Sequence, residues 1–158
     1  LPFEIDEDML YHMEKSALVT GTKYFKTPEF VCLRDERVVV VEAKTSVPKP
    51  ESKENFKEYL MEIREKFANA LALLNACWSK RNSEELSNMP EAMQKVTVLG
   101  ADYRLYLVVA TAQEEWLVNV NNAFKSELQI LFKTWKIQDT AFKAITKVKA
   151  IQLGLVKE

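Results

Sequence analysis

Thr27-Pro28-Glu29-Phe30-Val31-Cys32-Leu33-Arg34-Asp35-Glu36-Arg37-Val38-Val39-Val40-Val41-Glu42-Ala43-Lys44 is the stretch on which the fold turns. Two runs rich in β-branched and apolar residues flank the charged segment Arg34-Asp35-Glu36-Arg37, which is the pattern of a β-hairpin. The second run is apolar at every position up to Glu42, as in a strand covered on both faces. With Leu33 opposite Val38, each step away from the turn pairs one residue of either strand, and Glu29 falls opposite Glu42. Side chains directly opposed across antiparallel strands have Cβ atoms about 4.5–5.5 Å apart, and like charges there need compensation. A divalent cation supplies it. Because side chains alternate along a strand, Lys44 shares a face with Glu42 and stands ~7 Å along from it.

Outward from the hairpin, the chain alternates helical and extended patterns. Ile5, Met9, Met13 and Ala17 recur every four positions behind an acidic first turn, which predicts a first helix ended by Gly21. After Lys44, Pro48 and Pro50 make Thr45 to Ser52 a loop. Phe56, Leu60, Ile63, Phe67, Leu71, Leu74 and Trp78 then predict a long amphipathic helix from about Lys53 to Lys80. Glu58, Glu62, Arg64, Glu65 and Lys66 fall on its opposite side. Asn82 to Met89 reads as loop, Pro90 as the opening of one short helical turn, and Tyr103 to Ala110 as a strand. Strand, long helix, strand in that order imply a right-handed crossover to a parallel neighbour, and so an α/β layer fold.

Beyond Gln113, Leu117, Val120, Phe124, Leu128, Leu131 and Trp135 predict a further long helix. The tail reads as an edge strand, Ala141 to Ile145, leading into a helix capped by Thr146 and closed by Gly154, in preference to one continuous helix. The whole is expected to be a single domain with its core in residues 5 to about 112 and a C-terminal helical extension from about 113 to 158. A chain of 158 residues, 47% hydrophobic and 28% charged, buries roughly 68–70% of its unfolded surface and folds without a disulfide or metal staple.

Charge and composition narrow the chemistry. Twenty-two basic against 23 acidic side chains leave a formal charge of −1, so the molecule as a whole presents no basic field to nucleic acid or anionic lipid. From Lys125 to the end, seven lysines face Glu127, Asp139 and Glu158, a local excess of four positive charges that fits a phosphate-contacting patch and a solvated helix face equally. No run approaches the length of a membrane span, and two well-separated cysteines, Cys32 and Cys77, read as small buried hydrophobes of a reducing, cytoplasmic setting. The chain opens on Leu1, as a fragment or processed protein would. Its lone histidine, His12, is read as a surface or half-buried residue, and Trp78, Trp116 and Trp135 as core. No nucleophilic triad and no glycine-rich phosphate loop is present.

Two opposed carboxylates beside an ammonium make a hard-oxygen site suited to Mg²⁺ or Mn²⁺ and to phosphodiester chemistry. Pro28-Glu29, twelve intervening residues, then Glu42-Ala43-Lys44 closing an apolar strand resembles the PD-(D/E)xK motif of the restriction-endonuclease-like nucleases. The order helix, hairpin, helix, strand is similar to that fold's three-layer core, and Thr45-Ser46-Val47-Pro48 resembles uncharacterised bacterial proteins of the group. The resemblance implies that Glu29, in place of the usual Asp, is the first metal ligand and Glu42 the second. It further implies that Ala43 lends its backbone carbonyl, that Lys44 is the catalytic lysine, and that Glu14 on the first helix is a further acid.

A metal-dependent nuclease acting on DNA more than RNA is the function so implied, with a homodimer joined through the helix from Gln113 to Trp135 as one arrangement. The alternative is a nuclease-like fold without catalysis that binds protein or nucleic acid. The plainest reading makes Glu29, Glu42 and Lys44 a structural ionic cluster at the sheet rim.

Overall fold

The computed structural model describes residues 5–49 and 51–157; Pro50 and Glu158, which enter the loop and tail readings, lie outside them. A five-stranded mixed sheet runs in sequence order through β1 (Leu10–Tyr11), β2 (Phe30–Arg34), β3 (Arg37–Lys44), β4 (Asp102–Val109) and β5 (Phe142–Thr146). The first two pairings are antiparallel, the last two parallel. The architecture is therefore α/β, with a mixed sheet flanked by helices.

The hairpin has the anticipated register: Leu33 pairs with Val38 and Phe30 with Val41. Its two-residue turn is made by Asp35 and Glu36, both with positive φ, 48° and 61°. That is the backbone which matches a hairpin's twist. The chain forms α1 (Ala17–Thr20) upstream of the hairpin, and α2 (Lys53–Trp78), α3 (Ser83–Asn88) and α4 (Glu91–Gln94) between β3 and β4.

The alternation along each strand separates two cores. Val31, Val38, Val40, Leu105, Leu107, Phe142 and Ala144 face α2 and the helices that follow β4, packing on Ile63, Phe67, Leu71, Phe124 and Leu128. Phe30, Cys32, Val39, Val41 and Val108 face the other way and are covered by Ala150, Leu155 and Val156 from the C-terminal segment.

Several expectations need correction. Ile5 to Ala17 is not a helix. It holds 3₁₀ turns at Glu7–Met9 and Met13–Lys15 around β1, and only α1's single turn, capped by Ser16, is α-helical. The four-residue spacing is outweighed by backbone pairing of Leu10 and Tyr11 with Cys32 and Val31, which covers the free edge of the hairpin. Asn82 to Met89 is mostly the helix α3, because the Asn82 side chain accepts from the Glu85 N–H and caps it at 3.1 Å. The helix after Gln113 is two, α5 (Glu114–Glu127) and α6 (Gln129–Trp135). They part at Leu128, whose ψ of 2° turns the chain while its side chain stays fully buried.

The segment after 113 is not merely a helical extension. It supplies β5, paired in parallel with β4, and α7 (Lys147–Gln152), which covers the second face of the sheet. Here the preferred reading of the tail agrees with the fold: the Thr146 hydroxyl caps α7 and Gly154 takes a φ of +63° beyond its end. Among the tryptophans, Trp78 is buried and Trp135 packs against the core, but Trp116 is 62% exposed. It lies off the Leu117, Val120, Phe124 stripe by which α5 meets the sheet. No helix of the described residues is long and apolar enough to cross a membrane.

Candidate active site

The site forms where β3 emerges from the sheet under α2. Phe30 and Val41, the last hairpin pair, point to the second core, so Glu42, the next residue of β3, turns towards α2, while Glu29 immediately precedes β2. Glu42 is completely buried. Its Oε1 accepts a hydrogen bond from Lys66 Nζ at 2.7 Å and has Lys44 Nζ at 3.5 Å. Among the described residues its Oε2 is buried with no hydrogen-bond partner. Lys44 Nζ donates to Glu62 Oε1 at 2.7 Å, so this ammonium is shared between two carboxylates.

Glu29 is half-buried at the entry to β2 and lies near enough that its charge raises the Glu42 pKa. At the rim, Lys26 pairs with Glu65 at 2.8 Å, and the Asn69 amide donates to the Lys26 carbonyl, also at 2.8 Å, tying the loop before Pro28 to α2.

Burial sets the electrostatics. Removing Glu42 from water pushes its carboxyl above the ordinary range, against the pull of the Lys66 and Lys44 ammonium groups. Burial draws the Lys44 ammonium down, but Glu62 and Glu42 more than offset this and it lies above the usual lysine value. The hydrogen bond from Lys44 holds Glu62 below the usual carboxylate range. Tyr59, one turn before Glu62 on α2, has a buried hydroxyl with no partner among the described residues, and burial together with the charges of Glu42 and Glu62 raises its pKa.

The structure thus brings together Glu29, Glu42 and Lys44, with Ala43 between the last two and paired with Val108. Glu14 is not with them: it is exposed on the 3₁₀ turn at Met13–Lys15, and no ion pair joins it to the cluster. His12 is half-buried and lines a separate cavity of about 850 Å³ with Tyr11, Lys15 and Glu85.

Glu62 and Lys66, which the spacing predicts on the outer side of α2, instead face the end of β3. They flank the buried Ile63 and Phe67 and reach the sheet where it ends in Glu42 and Lys44 rather than in valine. The signal was present in the sequence: with Tyr59 they fall at i, i+3 and i+7, on one helical face. Arg64, by contrast, does turn away, pairing with Glu127 at 2.6 Å.

Among the described residues no group of three or more His, Cys, Asp and Glu side chains is placed to hold a metal ion. The expected ligands, Glu29, Glu42 and the Ala43 carbonyl, would leave most of a six-coordinate Mg²⁺ shell to water and substrate. The orphaned Glu42 Oε2 fits such an ion, because a buried carboxylate oxygen without a donor lacks either a proton or a cation. The chain matches no known protein family, no characterised protein and no solved structure.

Proposed function

We propose that this protein is a metal-dependent phosphodiesterase that cleaves nucleic acid, DNA by preference, at the site built on Glu29, Glu42 and Lys44. One observation carries the reading: Glu42 is wholly inside the protein with one oxygen left without any donor, at the end of a strand where a neighbouring carboxylate and an ammonium converge. A buried acid of this kind costs stability, and a purely structural cluster would leave neither oxygen unmatched.

Glu29 and Glu42 would hold Mg²⁺ or Mn²⁺, with the Ala43 carbonyl as a further oxygen. When bound, such an ion neutralises charge on the phosphoryl oxygens and acidifies water in its shell. Lys44, kept protonated by Glu62 and Glu42, orients the attacking water and holds the negative charge that gathers on the phosphoryl group. Glu62 positions Lys44. Water adds to phosphorus, one P–O ester bond breaks, and the proton leaves with the departing hydroxyl.

A second reading is favoured by the pairings themselves. Lys66 on Glu42 and Lys44 on Glu62 compensate most of the cluster internally, as in a nuclease-like domain that binds partners without cleaving them. Titration calorimetry with Mn²⁺ on the wild type and on Glu42→Gln, followed by oligonucleotide cleavage with Lys44→Ala, tests both. Binding lost in Glu42→Gln and cleavage lost in Lys44→Ala support the enzyme. Binding without cleavage in the wild type supports the second reading, and no Mn²⁺ binding ends the first.

A further inference from the structure

Away from Glu42 and Lys44, the cavity of about 850 Å³ lies between the segment 7–17 and the helices α3 and α4. Its lining includes four acids, Glu7, Asp8, Glu85 and Glu91, against two lysines, Lys15 and Lys95. One acid is unlike the rest. Glu7 and Asp8 are exposed and Glu91 is paired with Lys95 at 2.7 Å, whereas Glu85 is only 3% exposed and no lysine or arginine among the described residues pairs with it. The Tyr11 hydroxyl donates to its Oε1, and no donor among the described residues reaches Oε2. Burial, and then this bond, raise the Tyr11 pKa, so the phenol keeps its proton and brings no positive charge to the carboxylate.

We propose that this cavity binds a small aliphatic polyamine, with one ammonium on the buried Glu85 carboxylate and a second on Glu7 and Asp8 at the rim. A carboxylate taken out of water needs a positive partner, and the residues around Glu85 supply none. A bare metal ion does not fit: among the described residues no three His, Cys, Asp or Glu side chains are placed to hold one, and the space is many times that of a water molecule. It is of the size that takes a small organic ligand. Asp8 stands three residues before Tyr11, so at most ~11 Å of chain separates the rim acids from the residue that holds Glu85. Two ammonium groups joined by a flexible aliphatic chain span such a gap, with the methylenes along Met9, Met89 and Pro90.

Titration calorimetry of the whole chain with spermidine, butylamine and butanol tests this. Wild type is expected to bind spermidine at one site, butylamine about two- to fivefold more weakly, and butanol not measurably. Glu85→Gln, which keeps an acceptor for Tyr11, is expected to weaken spermidine binding about tenfold or more. Glu7→Gln combined with Asp8→Asn, both at exposed positions, is expected to lower the affinity for spermidine to that for butylamine and to leave butylamine binding unchanged. Glu114→Gln combined with Glu115→Gln, exposed acids of α5 outside the cavity, is expected to change neither. Circular dichroism checks that each variant is folded.

Failure of wild type to bind spermidine overturns the proposal, as does equal binding by wild type and a folded Glu85→Gln. So does an equal loss in the two double variants, which would be attraction to surface charge without a site. Where Glu85→Gln does not fold, the rim variant decides: unchanged spermidine affinity there overturns the proposal. The titrations contain neither nucleic acid nor divalent metal, so no outcome depends on the reading of Glu42.

Discussion

Phe30 pairs with Val41 across the hairpin, and both side chains enter the core on the sheet face away from α2. The pair is the last of the ladder, so β3 turns Glu42 to the α2 face at the point where the valine run stops, with the Glu29 charge close by at the entry to β2. The site is thus a consequence of register, and register in a two-residue hairpin is fixed by its turn.

That turn is under strain. Asp35 and Glu36 both occupy the left-handed region, where a side chain costs roughly 1–2 kcal/mol per residue. Replacing them with Asn-Gly, the pair suited to this geometry, is expected to raise unfolding stability by about 1 kcal/mol and to leave the register intact. Urea denaturation checks it: a variant no more stable than wild type contradicts the assigned turn.

The α2 face of the sheet is held by aromatic packing. Phe67 is fully buried with its ring 6.0 Å from that of Phe142 at 76°, an edge-to-face pair joining α2 to β5. Phe67→Ala is expected to cost about 3–5 kcal/mol, through lost burial and the cavity it leaves. A loss below about 1 kcal/mol in chemical denaturation, well short of that range, would mean that α2 does not pack on the sheet as described.

The hairpin, its register and the parallel pairing of β3 with β4 were legible in the sequence because they depend on local patterns: alternation, valine runs, a short charged turn, and a crossover with one favoured hand. The first segment misled because Met9, Met13 and Ala17 mimic helical spacing, while the reason for β1 lies far off in sequence, at the unpaired edge presented by Val31 and Cys32. Glu29, Glu42 and Lys44 were legible since strand geometry places them. Lys66 and Glu62 were not, because a helix stripe read for apolar residues alone assigns charged neighbours to solvent. Only the end of β3 meeting the middle of α2 in space turns them inward.

The two cysteines give a test of which faces are closed. Burial pushes the Cys32 thiol up to about 12 and the Cys77 thiol to about 11, and both side chains are inaccessible. Neither thiol is expected to react measurably with iodoacetamide at pH 8 in the native protein, and both react in 6 M guanidinium, as thiolate is the nucleophile. Mass spectrometry of the alkylated protein reads the result. Native modification at Cys32 would show that the C-terminal segment does not cover the second core.

The pH dependence of stability isolates Glu42. Its folded-state pKa lies above the model-peptide value of 4.5, with burial as the main cause. As pH rises past 4.5 the unfolded chain releases this proton while the folded chain still holds it. The folded state then binds more protons, and unfolding free energy falls with pH, by at most about 1.4 kcal/mol per pH unit for one such group. The contribution is therefore complete below 4.5 and lost as pH climbs through the folded-state value. Glu42→Gln, which keeps an acceptor for Lys66 and cannot ionise, removes this dependence. Thermal melts of both proteins in chelator-containing buffers are expected to show wild type losing stability relative to Glu42→Gln as pH is raised from 4.5 towards neutrality. A difference that stays flat, or that grows in favour of wild type, would mean that Lys66 and Lys44 outweigh burial and hold the carboxylate ionised throughout.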